Sequence, residues 1–143
     1  MHEYTVEFRI HGRDLVPSAM TKALGLDPAQ VRNAGDRRGT NTLWEEALWA
    51  YDGYPASFGN KTWGSLEDGL RFVLEKLWPV KDKIDSYKPK FKMILWCGHF
   101  YSSFNGGPTL SPDLLKLLGE FGVELFIDNH YSEEDEGDSN PDG

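Results

Sequence analysis

Arg32, Arg37 and Arg38 stand close to Asp36 in and beside the polar stretch Asn33 to Asn41, and Trp44 follows three residues after that stretch ends. Guanidinium groups present a planar fork of donors that fits a carboxylate or phosphate in a bidentate way. The stretch therefore reads as a site for an anionic ligand. Gly35 and Gly39 support a second reading, in which the chain simply turns, Asp36 tightens the loop, and the arginines are solvated or pair with Glu45 and Glu46. Trp44 and Trp63 are placed at loop mouths beside this stretch. There they form a stacking platform or an interface hot spot, or they plug the open edge of a small fold.

A second group of chemistry-bearing residues lies in two apolar segments. Cys97, His99 and Tyr101 share one face of the first, and Asp128 and His130 share one face of the second. Strand pairing that brought His99 to Asp128 or His130 would make a two-histidine, one-carboxylate metal cluster. Neither segment has metal-ligand spacing of its own, so a structural histidine near a sheet end is the competing reading. Cys97 amid Leu95 and Trp96 reads as a small hydrophobe rather than a nucleophile. Gly59-Asn60-Lys61-Thr62 fails as a phosphate-binding loop because Asn60 separates glycine from lysine. The carboxylate pairs Glu45-Glu46 and Glu67-Asp68 are explained by helix surface and capping. No catalytic residue, metal or cofactor is assigned from these patterns.

The elements that must position these residues are written in the hydrophobic spacing. Tyr4, Val6, Phe8 and Ile10 alternate with Thr5, Glu7, Arg9 and His11, the period of a strand with one buried and one wet face. Val16, Met20, Ala23 and Leu24, bracketed by Pro17 and Gly25, predict a helix of about two turns. Asp27-Pro28 predicts a shorter helical turn through Val31, and Leu43 to Tyr51 a strand. Ser65, with Asp68 three residues on, caps a helix whose stripe is Leu66, Leu70, Val73, Leu74 and Leu77. A second helical piece follows Pro79 and ends before Pro89. Phe91 to Ser102 is apolar on both faces and suits a central strand, with Trp96 in the core. Ser111-Pro112-Asp113 opens a helix closed by Gly122, and Val123 to Tyr131 is the last strand. The predicted fold is an α+β two-layer sandwich: a four- to five-stranded, mostly antiparallel sheet with helices packed on one face.

Composition restricts the partners. A chain of 143 residues with 39% hydrophobic content suits one domain. Six of its 23 acids fall at Glu133, Glu134, Asp135, Glu136, Asp138 and Asp142, which leaves 17 acids against 15 bases in the body. Residues 1–131 are read as a single domain and 132–143 as an acidic, disordered tail. A near-neutral body with a repelling tail argues against nucleic acid, and no apolar run approaches the roughly 18 residues of a membrane span. A cytoplasmic protein is expected, and with Cys97 as the lone cysteine it has no intrachain disulfide.

Taken together, several segments resemble a known family. They are Leu24-Gly25-Leu26-Asp27-Pro28, Gly35-Asp36-Arg37-Arg38, Leu43-Trp44, the helices at Leu66 to Leu77 and at Leu114 to Leu118, and Phe121 through Asp128. Their order and spacing resemble the bacterial family catalogued as domain of unknown function 4279, over about residues 4–131. The resemblance implies a small bacterial single-domain protein and carries over no catalytic residue. Two functional expectations follow from the residues themselves. The first is a non-enzymatic module for a protein partner, in the manner of an immunity protein that neutralises that partner, with the acidic tail as a complementary charge. The second is a protein or enzyme for a small anionic ligand held by Arg32, Arg37 and Arg38 beside Trp44.

Overall fold

The computed structural model describes residues 1–55, 58–59 and 61–133. The acidic tail therefore lies, from Glu134 onward, outside the described residues. The element order is β1 (His2–Gly12), α1 (Pro17–Leu24), β2 (Gln30–Arg32), β3 (Ala47–Tyr51), α2 (Leu66–Leu77), a 3-10 turn (Trp78–Val80), α3 (Lys81–Tyr87), β4 (Lys92–Tyr101), α4 (Pro112–Phe121) and β5 (Glu124–Tyr131). The five strands form one sheet in the order β2-β3-β1-β4-β5. The pairs β2·β3, β3·β1 and β1·β4 are antiparallel, and β4·β5 is parallel. A parallel neighbour needs a crossover, which α4 supplies.

Local signals set most of these elements. Ser65 Oγ accepts the amide of Asp68 at 3.2 Å, and Ser111 Oγ accepts that of Leu114 at 3.2 Å, so both predicted caps form. Gly25 and Gly122 end α1 and α4 in the left-handed conformation, where a side chain would be strained. Ser111 also ties two helices together. Its amide and hydroxyl donate to the Glu67 carboxylate of α2 at 2.7 and 2.8 Å, and these bonds hold that carboxyl below its ordinary range.

The described helices lie on one side of the sheet. The alternation in β1 sends Val6, Phe8 and Ile10 into a core shared with Trp49 of β3, Leu70 and Leu77 of α2, Leu95 of β4 and Phe121 of α4. Trp49 satisfies its indole N–H on Thr21 Oγ1 of α1 at 2.9 Å. The approach of α2 to β1 requires Gly69. A Cβ there would stand 2.9 Å from both Val6 Cγ2 and Trp63 Cδ1.

Three expectations need correction. The turn predicted from Asp27-Pro28 through Val31 is instead the strand β2, because the Ala29 amide donates to the Ala50 carbonyl at 2.7 Å and Gln30 to Arg32 pair along β3. The strand predicted from Leu43 is regular only from Ala47, and Leu43 makes an isolated bridge with Arg37. Trp96 is not in the core. It projects from β4 on the side away from the helices, level with Glu7 of β1 and Phe126 of β5.

Candidate functional site: a cleft on the uncovered sheet face

The face without helices is a grid fixed by strand register. Arg32, Leu48, His11 and Lys92 lie level across β2, β3, β1 and β4, and in the next row Arg9 lies between Ala50 and Ile94. β3 contributes only Leu48 and Ala50 to this face, so the sheet is low between the longer side chains of β1 and β2. The loop between β2 and β3 closes one end. Gly35 donates to the Trp44 carbonyl and Trp44 to the Asp36 carbonyl, both at 2.8 Å, which carries the Trp44 side chain over Arg32. A cleft of about 850 Å³ results, with Arg9, Arg32, Trp44, Trp96, His11 and Glu46 among its walls.

Two guanidinium groups are held here on indole rings. Arg32 Cζ sits 3.7 Å from the centre of Trp44, and Arg9 Cζ sits 4.3 Å from that of Trp96. Arg9 spends its Nε on Glu7 Oε1 at 2.7 Å. Arg32 Nε is buried and has no hydrogen-bond partner among the described residues. An unmet buried donor costs about 1–3 kcal/mol. Burial, and then the positive charge of Arg9, make the Arg32 guanidinium easier to deprotonate than usual. Beside them Glu46 Oε1 meets His11 Nδ1 at 3.0 Å, and that hydrogen bond is the main reason the Glu46 carboxyl is held low.

The family model described as Domain of unknown function (DUF4279) matches residues 2–132. The chain belongs to the DUF4279 family. No curated protein and no solved structure matches it significantly.

Within this DUF4279 domain the residues singled out from sequence are divided. Arg32 and Trp44 enter the cleft, and Arg38 Cζ lies 4.6 Å from the centre of Trp44 from the loop side. Arg37 is exposed, and Asp36 Oδ2 accepts the Asn33 amide at 2.8 Å, the loop-tightening role. Trp63 does not join Trp44. Its backbone pairs with Tyr4 and its ring packs on Phe72 and Gly69 of α2, on the helix side. Arg9, His11, Glu46, Lys92 and Trp96 were not expected in one site. The alternation of β1 places Arg9 and His11 on the wet face, but only the register shows what stands next to them.

The proposed metal cluster does not assemble. In the parallel β4·β5 pair His99 is level with Asn129, and Asp128 and His130 project from the other face. Among the described residues no three His, Cys, Asp or Glu side chains converge as a metal site would require. His99 is instead part of a stack at the sheet end. His2 Nδ1 meets its Nε2 at 2.8 Å, Asn129 Oδ1 meets its Nδ1 at 2.7 Å, and His2 Nε2 donates to the Asn105 carbonyl at 2.6 Å. Tyr4 and Tyr101 stack on the same imidazole. Cys97 is buried in the core, where desolvation pushes its thiol up to about 12. Asp128 bonds His130 at 3.0 Å, and His130 stacks on Phe100. No helix among the described residues is long and apolar enough to cross a membrane.

Proposed function

We propose that this DUF4279 chain is a non-enzymatic binding module of the bacterial cytoplasm that engages a protein partner through its uncovered sheet face, with an immunity-type neutraliser as the narrowest form of that reading. The observation that carries it is the composition of the face. Trp96 packs on Phe126 across β4 and β5 and Phe100 follows two rows along the same face, with Phe100 and Phe126 40% and 42% exposed, and Trp96 is shared with the arginine cleft. Aromatic side chains beside arginine are the residues that dominate protein contacts, and an uncovered aromatic face is apolar area available for burial.

The test is affinity capture from the host with Phe100→Glu and Phe126→Glu, using Leu115→Glu as the control. Leu115 is 53% exposed but lies on α4, in the helix layer. Loss of a specific partner in the two face variants and its retention in the control is the expected result. Capture that is equal in all three would exclude this face as the binding surface.

A further inference from the structure

The uncovered face holds a feature that partner binding through aromatics alone does not need. Its cleft is lined by two guanidinium groups, those of Arg9 and Arg32. Like charges so placed repel, and here the repulsion is joined by an unmet donor on Arg32. Glu7 offsets part of that repulsion and Glu124 also lines the cleft, but Glu7 bonds the Nε of Arg9 and Glu46 is bound to His11, so the terminal nitrogens of Arg9 make no hydrogen bond to any described residue. Lys92, level with His11, adds a further positive charge at the rim, so a cationic hollow sits on a chain with a formal net charge of −8.

The geometry points to an oxyanion pocket. We propose that Arg9 and Arg32, each braced on an indole ring, clamp a single carboxylate or phosphate group between β1 and β2, with Lys92 as an outer cation. The inference rests on the reading that this face is the binding surface, and it adds the chemical class that the cleft accepts. Recognition is through charge and not through stacking. The Trp44 ring already carries Arg32 and Arg38, and Trp96 carries Arg9, so the indoles serve to hold the forks at a fixed orientation. Leu48 and Ala50 keep the floor low enough for the group to enter between them. The oxyanion can belong to a free metabolite or to an acidic or phosphorylated side chain of the protein partner. The clamp is the same in both cases.

The experiment is a titration of the full chain at low ionic strength, with the arginine side-chain Nε–H signals followed by NMR and the affinity by calorimetry. Inorganic phosphate and citrate are the free probes, a hexaglutamate peptide and a phosphoserine peptide are the chain-borne probes, and chloride at equal ionic strength is the control. The Arg9 and Arg32 signals should shift while that of Arg37 stays in place. Arg9→Gln and Arg32→Gln should each weaken binding at least about tenfold, and Arg37→Gln should not. Arg32→Lys, which keeps the charge and loses the fork, should fall between. Binding of the free anions alone identifies a small-molecule ligand, and binding of the peptides alone identifies a group on a partner. If no probe moves Arg9 and Arg32 more than Arg37, the pocket is overturned, even where Phe126→Glu abolishes partner capture and the face stands as an interface. If phosphate binds but face variants leave capture intact, the partner reading fails and the pocket stands.

Discussion

The two faces of the sheet are separated by one residue step along β1 and have opposite fates. On the first, Val6, Phe8 and Ile10 are 4%, 0% and 0% exposed beneath the helices. On the second, Glu7, Arg9 and His11 meet Trp96, Lys92 and Glu46 with no helix above them. The first face carries the apolar burial that stabilises the fold. The second holds an unmet donor and two neighbouring guanidiniums outside that apolar core. The apolar core and the proposed binding surface thus lie on opposite sides of the same strands.

The sharpest way to break that separation is to truncate neighbours in β1. Phe8→Ala removes a ring packed edge-on against Phe121 and should cost about 3–5 kcal/mol in urea unfolding, while Arg9→Ala should cost less than about 1 kcal/mol. Similar losses would mean that the open face is structural after all.

Next in size is an effect of alkaline pH on the covered face. Burial raises the Cys97 thiol from 9.0 to about 12, so the folded chain holds that proton more tightly than the unfolded one. The resulting stability is complete below about pH 9 and is lost as pH rises toward 12, by about 1.4 kcal/mol per pH unit. Tyr4 and Tyr51, also raised by burial, act in the same direction at higher pH. Unfolding followed from pH 8 to 11 should show this loss, and Cys97→Ala should remove the part that begins near pH 9. An unchanged slope in that variant would assign the loss to other groups.

The smallest effect concerns how the helix layer is joined. Ser111→Ala removes the α4 cap and the hydroxyl bond to Glu67, and should cost about 1–2 kcal/mol, more than Ser65→Ala, whose hydroxyl caps α2 alone. Equal values would show that the link between α2 and α4 contributes nothing beyond capping.

What was legible in the sequence is what neighbouring residues decide among themselves. Ser65, Ser111, Pro112 and Gly122 mark helix ends because a cap is satisfied within a few residues, and the alternation of β1 is visible because its two faces differ in chemistry. The α+β class and the family follow from such marks. Trp96 was misplaced because β4 is apolar on both sides, so no alternation tells which side meets the helices. Val31 was drawn into a turn because the carbonyl that recruits Ala29 belongs to Ala50, across the intervening loop. The candidate site suffered most from this non-locality. Arg32 and Trp44 are close in sequence and meet in the cleft, whereas Arg9 joins them only through the register of three strands, and Trp63 is removed from them by its bridge to Tyr4.

The place of β1 in the sheet also bears on how the chain is made. It is made before the other four described strands and is the central strand of the finished sheet, yet His2 pairs with Tyr101 and His11 with Lys92. One backbone edge of β1 must therefore wait unpaired until β4 has been synthesised. Contacts so distant in sequence slow folding and lengthen the exposure of nascent apolar surface. The polar side chains of Glu7, Arg9 and His11, set between the apolar ones, favour solubility of that waiting segment before they take their places on the uncovered face.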